Sequence, residues 1–282
     1  MTAPFQDILH ATDLSPDGDG AFRAALAIAL SARGRLSIVH SEQLHGRAGR
    51  QWTGFPHVRA TLAAWGTLAA DAPASAVSET LGLEVEKIDI AGGDLVRGVG
   101  HFLDERGCDL VVMATHGEQG PAGWPRPSQS RAIAAAVRTP SLFIPVSGLG
   151  LVDLLTGKTE IRHVLVPVDS QPRADAALAA AADLSGQLGC PEAIFHLLHV
   201  GRDWPMVVLP SSLTEGAVGR VHQIRKDGPV AQTILDTADE VTADLIVMGT
   251  EGRHGILDAL RGSVTEQVVR RTRRPVLAVP AV

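Results

Sequence analysis

Short, almost unbroken apolar runs alternate along this chain with longer alanine-rich segments of helical period. Asp7-Ile-Leu-His-Ala-Thr-Asp13 and His163-Val-Leu-Val-Pro-Val-Asp169 each read as a strand closing on an aspartate. Each is followed by a helical stretch, Ala21–Ser31 and Ala174–Leu184, and then by a second strand, Leu36–His40 and Ile194–Val200. Farther on, Asp109-Leu-Val-Val-Met-Ala114 matches Asp244-Leu-Ile-Val-Met-Gly249, and Pro140-Ser-Leu-Phe-Ile-Pro145 matches Pro275-Val-Leu-Ala-Val-Pro280. Strands without polar alternation are buried on both faces, and their alternation with helices predicts parallel sheets covered on both sides.

Four matched elements in one order make the chain a tandem repeat. The predicted fold class is α/β, with two doubly wound, parallel, five-stranded sheets. The expected domains are residues 1–147 and 161–282, joined by a linker near Ser147–Glu160 that contains Gly148, Gly150 and Gly157. The copies differ between their second and third strands. The first has room for a helix over Val58–Ala70. In the second, Gly201–Gly219 holds Pro205, Pro210 and Gly216 before a strand at Val221, so an irregular crossover is expected there. The last strands, Leu142–Val146 and Val276–Val282, are apolar edges. Pairing them within the chain, about a pseudo-twofold axis, would cover both and give an intrachain pseudo-dimer.

Composition narrows the function classes. The 282 residues suffice for two domains of ~140 residues each. With 45% hydrophobic and 20% charged residues, the balance is that of a globular protein. A net charge of −6 gives no general attraction for nucleic acid or an anionic membrane. Cys108 and Cys190 form no CxxC pair, so neither a disulfide framework nor a zinc site is expected, which fits the cytoplasm. Residues Met1–Asp7 have no leader pattern, and the apolar stretches are far shorter than the ~20 residues of a membrane span.

The most specific motif follows the strand Leu245–Met248. Gly249 and Gly252 are separated by two residues, Gly252 and Gly262 by nine, and Ser263 opens the next helix. Glycines let backbone N–H groups approach a phosphate closely, and a helix N-terminus with its dipole is an anion site. Ser263 and Glu266 have capping-box spacing, which marks the helix start independently. Arg253, His254 and Arg261 add donors to the loop. The alternative is that the glycines shape turns and Ser263 only caps the helix.

This G-x2-G-x9-G-S spacing, with Ser263-Val-Thr-Glu266 after it, resembles the ATP-binding universal stress proteins, which have an adenine nucleotide α-hydrolase-like fold. The resemblance extends over nearly the whole chain. It implies that Val168 and Asp169 lie beside a nucleoside, that Val200 contacts adenine, and that Met248 and Gly249 close the site. It places Gly252, Arg253, Gly262, Ser263, Val264 and Thr265 around phosphate and ribose. Read without the resemblance, Asp169 could equally cap the following helix, and Val168, Val200 and Met248 would be apolar in any such fold. The first copy departs from the pattern: Ala114 replaces the first glycine, Pro127 the last, and Arg131 the capping glutamate. Proline has no N–H to offer, so this half is expected to bind no triphosphate.

Other signals fail. Gly157-Lys-Thr159 lacks the earlier P-loop glycine, since position 152 is Val152, and Gly148-Leu-Gly150 has Asp153 where a dinucleotide fingerprint needs glycine. His196 and His199 lie three apart on a strand, so they face opposite sides and do not share a metal. The basic run Arg270–Arg274 suits a helix C-terminus. The expected function is a stress-response protein whose C-terminal half binds ATP, or AMP or ADP, with Mg²⁺ as an accompanying ion. It would act in regulation rather than as an enzyme, with slow ATPase activity as the upper limit, through Asp169 and Thr265 ordering water or Mg²⁺. The alternative is a nucleotide-free protein-interaction module; under either reading the expected partners include an unidentified protein and a second copy of the chain in a homodimer. An α-hydrolase-type enzyme would need an SGGxDS-like loop near Asp13 or Asp169, which is absent.

Overall fold

The computed structural model describes residues 3–41, 56–90, 95–116, 139–214, 220–250 and 263–281. The first half runs β1 (Asp7–Thr12), α1 (Asp19–Ala32), β2 (Arg35–Ser41), α2 (Val58–Ala64), α3 (Ala76–Glu79), β3 (Glu84–Ile90), α4 (Leu95–Arg106), β4 (Leu110–Thr115) and β5 (Ser141–Pro145). The second runs β6 (His163–Pro167), α5 (Asp175–Gln187), β7 (Ile194–Val200), α6 (Ser211–Thr214), β8 (Val221–Lys226), α7 (Val230–Glu240), β9 (Leu245–Thr250), α8 (Val264–Arg271) and β10 (Val276–Pro280).

The strands form one ten-stranded sheet in the order β3-β2-β1-β4-β5-β10-β9-β6-β7-β8. Each half has the same winding, and its strands pair in parallel. The halves meet through the fifth strands, which pair antiparallel with Leu277 opposite Leu142 and Val276 opposite Phe143. This is the pairing expected of the two apolar edges, and it leaves only β3 and β8 at the sheet's margins.

Alanine content explains how closely the helices lie. Ala24, Ala25 and Ala29 of α1 and Ala177 and Ala181 of α5 are fully buried, in a core that continues from one half into the other on one face of the sheet. Gln187 reinforces this junction: its amide accepts from the Phe5 N–H at 3.0 Å and donates to the Phe5 carbonyl at 2.8 Å. On the opposite face, Ile234, Ala238, Val268 and Val269 of α7 and α8 cover the second half.

One helix is shorter than expected. The segment predicted as Val58–Ala70 is helical only over Val58–Ala64. Gly66 takes φ 72°, its N–H bonds the Ala63 carbonyl and the Thr67 N–H bonds the Leu62 carbonyl, a left-handed glycine stop. In the second half, among the described residues of 201–214, the four-residue α6 is the sole helix, as the prolines there imply. No helix among the described residues is long and apolar enough to cross a membrane.

β1 also buries a titratable side chain. His10 is fully buried, its Nδ1–H donates to the Val112 carbonyl at 3.1 Å, and Nε2 has no partner among the described residues. Burial lowers its pKa from 6.5 to about 4, against the opposing Val112 bond and the charges of Asp13 and Asp19. Folding therefore favours the neutral ring. That contribution is complete above pH 6.5 and is lost as pH falls toward 4. His10→Leu should flatten the acid limb of stability by about 3 kcal/mol. Urea unfolding at pH 7.5 and 4.5 tests this, and an unchanged pH slope in the variant would contradict it.

Candidate functional site

The second half has an opening at the carboxyl ends of its strands. Its chain winds outward from β6 to β8, then returns to β9 on the other side of β6, so the β6–β9 junction is the switch point of the sheet. Pairing between these strands stops early, at Leu165 opposite Ile246. In the first half the equivalent β1–β4 ladder continues to Ala11 opposite Met113. Beyond Ile246 and Leu165, therefore, the second half opens into a crevice that the first half keeps paired.

A cavity of about 340 Å³ occupies this crevice. Val168 and Asp169 enter it from β6, Val200 from β7, Met248 and Gly249 from β9, and Ser263, Val264 and Thr265 from the start of α8. These are eight of the eleven residues selected from the sequence, brought to one place. The other three, Gly252, Arg253 and Gly262, lie outside the described residues, as does the first-half loop around Pro127. Sequence reading missed further lining residues: Gln171 and Pro172 in the β6–α5 loop, Leu198 and Thr250 on strands, and Val230 and Ile234 on α7. Ile234 is buried on α7, whereas Val230 is exposed at its start.

Local geometry gives several of these residues defined roles. Ser263 caps α8, its hydroxyl accepting from the Glu266 N–H at 3.1 Å, as the spacing predicted. Asp169 does not cap the next helix: α5 begins at Asp175, with Ala174 at its N-cap and no side-chain cap. Instead the exposed Asp169 carboxylate accepts from the Ser170 N–H at 2.6 Å, at the cavity mouth. His199, buried on β7, donates Nδ1–H to the Val168 carbonyl at 3.1 Å and so fixes the end of β6. His40 makes the matching bond to the Thr12 carbonyl at 3.0 Å, a mark of the repeat that survives in both halves. His196 faces the other side of β7, with its ring nitrogen 3.0 Å from that of His163, so the two β7 histidines are separated as expected.

The cavity combines an apolar wall (Val168, Leu198, Val200, Ile234, Met248) with a polar edge of Asp169, Gln171, Thr250, Ser263 and Thr265. That division suits a flat, partly apolar ring with a hydroxylated or anionic extension. In the first half, the loop after β1 is tied to the end of β4 by His116 Nε2 and Asp17 Oδ2, 2.9 Å apart.

Residues 4–145 and 210–280 match the model of the universal stress protein family. Universal stress protein A homolog 2 of Coxiella burnetii is 32% identical over 137 residues, covering 43% of this chain and 93% of that protein. A universal stress protein of Methanocaldococcus jannaschii is 42% identical over 60 residues, covering 21% of this chain; here the chain spans only about a third (35%) of the relative's length. Among solved structures, a universal stress protein from Archaeoglobus fulgidus aligns with a TM-score of 0.63 at 19% identity, covering 100% of this chain and 98% of that one, a likeness of fold. The motif, the repeated winding and these matches agree: the chain belongs to the universal stress protein family.

Proposed function

We propose that the C-terminal half binds an adenine nucleotide, ATP with AMP or ADP as alternatives, in the cavity between β6 and β9. The observation that carries this reading is the early end of the β6–β9 ladder, which opens the cavity where the selected residues converge. Val168, Val200 and Met248 would bound the base. Ser263, Val264 and Thr265 at the start of α8, with Gly252, Arg253 and Gly262 from the preceding loop, would hold ribose and phosphates. Asp169 and Thr265, both at the cavity, would order water or an accompanying Mg²⁺.

Mass spectrometry of small molecules released from purified, denatured protein tests this reading. AMP, ADP or ATP at up to one per chain is the expected result. Absence of nucleotide, together with an unchanged melting temperature in millimolar Mg-ATP, would favour a nucleotide-free interaction module.

A further inference from the structure

Away from the cavity, three imidazoles line up across the opposite end of the same half. His163, His196 and His222 stand on β6, β7 and β8, on the face covered by α7. His222 lies directly opposite His196 in the ladder, while His163 is diagonal to it. The Nδ1 of His163 and the Nε2 of His196 are 3.0 Å apart. The rings of His196 and His222 stack, centroids 5.6 Å apart and planes within 24°. Among the described residues no three His, Cys, Asp or Glu side chains are placed to hold a metal ion.

We propose that this histidine row is an acid-sensitive latch that holds the margin strand β8 at neutral pH and releases it on acidification. The His163–His196 contact needs one N–H and one lone pair, so it accommodates the neutral pair or a single added proton. A second proton turns it into two opposed N–H groups on like charges, and a third charge would lie across the stack on His222. Among the described residues the nearby carboxylates have other partners. Glu240 pairs with Lys226, Asp239 with Arg274 and Glu160 with Arg162, while Asp244 accepts backbone N–H bonds from Arg162 and His163. Burial lowers the pKa of His196, and the charges of His163 and His222 lower it further.

β8 is the element such repulsion would move first. It ends the sheet, pairs with β7 alone, and has no fully buried residue. It also leads directly into α7, whose Val230 and Ile234 line the cavity. Release of β8 would loosen one wall of the site and weaken ligand binding; this consequence rests on the nucleotide reading above, whereas the latch itself does not.

Hydrogen exchange of the whole chain at pH 7.5 and 5.5, corrected for intrinsic rates, tests the latch in the wild type and in His196→Gln. Protection in β8 should fall about threefold to tenfold more than protection in the central strand β10, as expected for like charges at this separation beside solvent. In the variant, β8 and β10 should change together. Equal changes in the wild type, or the same excess loss in the variant, would overturn the latch. Should His196→Gln fold poorly, ring NMR titration of the wild type decides: three stepwise transitions support the latch, three independent ordinary ones contradict it. Mg-ATP affinity measured at both pH values should weaken at pH 5.5 in the wild type alone. Excess β8 loosening without binding at either pH would uphold the latch and contradict the nucleotide reading.

Discussion

Replacing Leu277 by alanine should lower the stability of both halves at once, by about 2–5 kcal/mol, and replacing it by aspartate should prevent either from folding. Leu277 is fully buried and sits opposite the equally buried Leu142 in the antiparallel pair that joins the halves. The core it belongs to contains α1 and α5 side chains from both halves, and Gln187 binds the N-terminal segment across the same junction. A domain's whole stability is about 5–15 kcal/mol, so an unpaired carboxylate added to the lost leucine exceeds what the fold can bear. Hydrogen exchange read separately on β1 and β6 checks the alanine variant. Parallel loss of protection is expected, and loss confined to the second half would show two independently stable units joined at a passive edge.

The second large effect concerns the cavity. Gly249 lies at the end of β9, and a Cβ there would come within 3.3 Å of the Arg173 carbonyl and 3.6 Å of the Pro172 ring. The branched side chain of Gly249→Val must displace the 171–173 loop, which removes the lining made by Gln171 and Pro172, or turn into the cavity and fill it. The first half already carries Ala114 at this place. Wild-type protein at a hundred times Kd should gain about 2.7 kcal/mol from Mg-ATP, and the variant should gain none while keeping its far-UV circular dichroism. A thermal shift of equal size in both would place the nucleotide elsewhere.

The eight inner strands were legible because they are largely buried and so appear as apolar runs ending at recognisable punctuation, whereas the margin strands β3 and β8 carry many polar residues. The pairing of β5 with β10 was legible for the same reason: two apolar edges need cover. The end of α2 was not, because Gly66 lies inside an apparently helical pattern and only its left-handed conformation reveals the stop. The α8 cap followed from local motif chemistry, while the site residues at strand ends followed from the resemblance to the family. Val230, Ile234 and the Gln171–Pro172 loop did not, since their place at the cavity depends on how far β6 and β9 separate. The histidine row was hidden in the same way: β7–β8 register, not sequence spacing, sets His196 beside His222.

The halves are asymmetric: among the described residues a crevice opens at β6–β9, while the matching β1–β4 end stays paired and bridged by His116 and Asp17. Isothermal titration of the whole chain with Mg-ATP, after removal of any bound nucleotide, measures this directly. The structure predicts one site per chain, lost in Gly249→Val. Two equivalent sites per chain, or one site that persists undiminished in that variant, would contradict it.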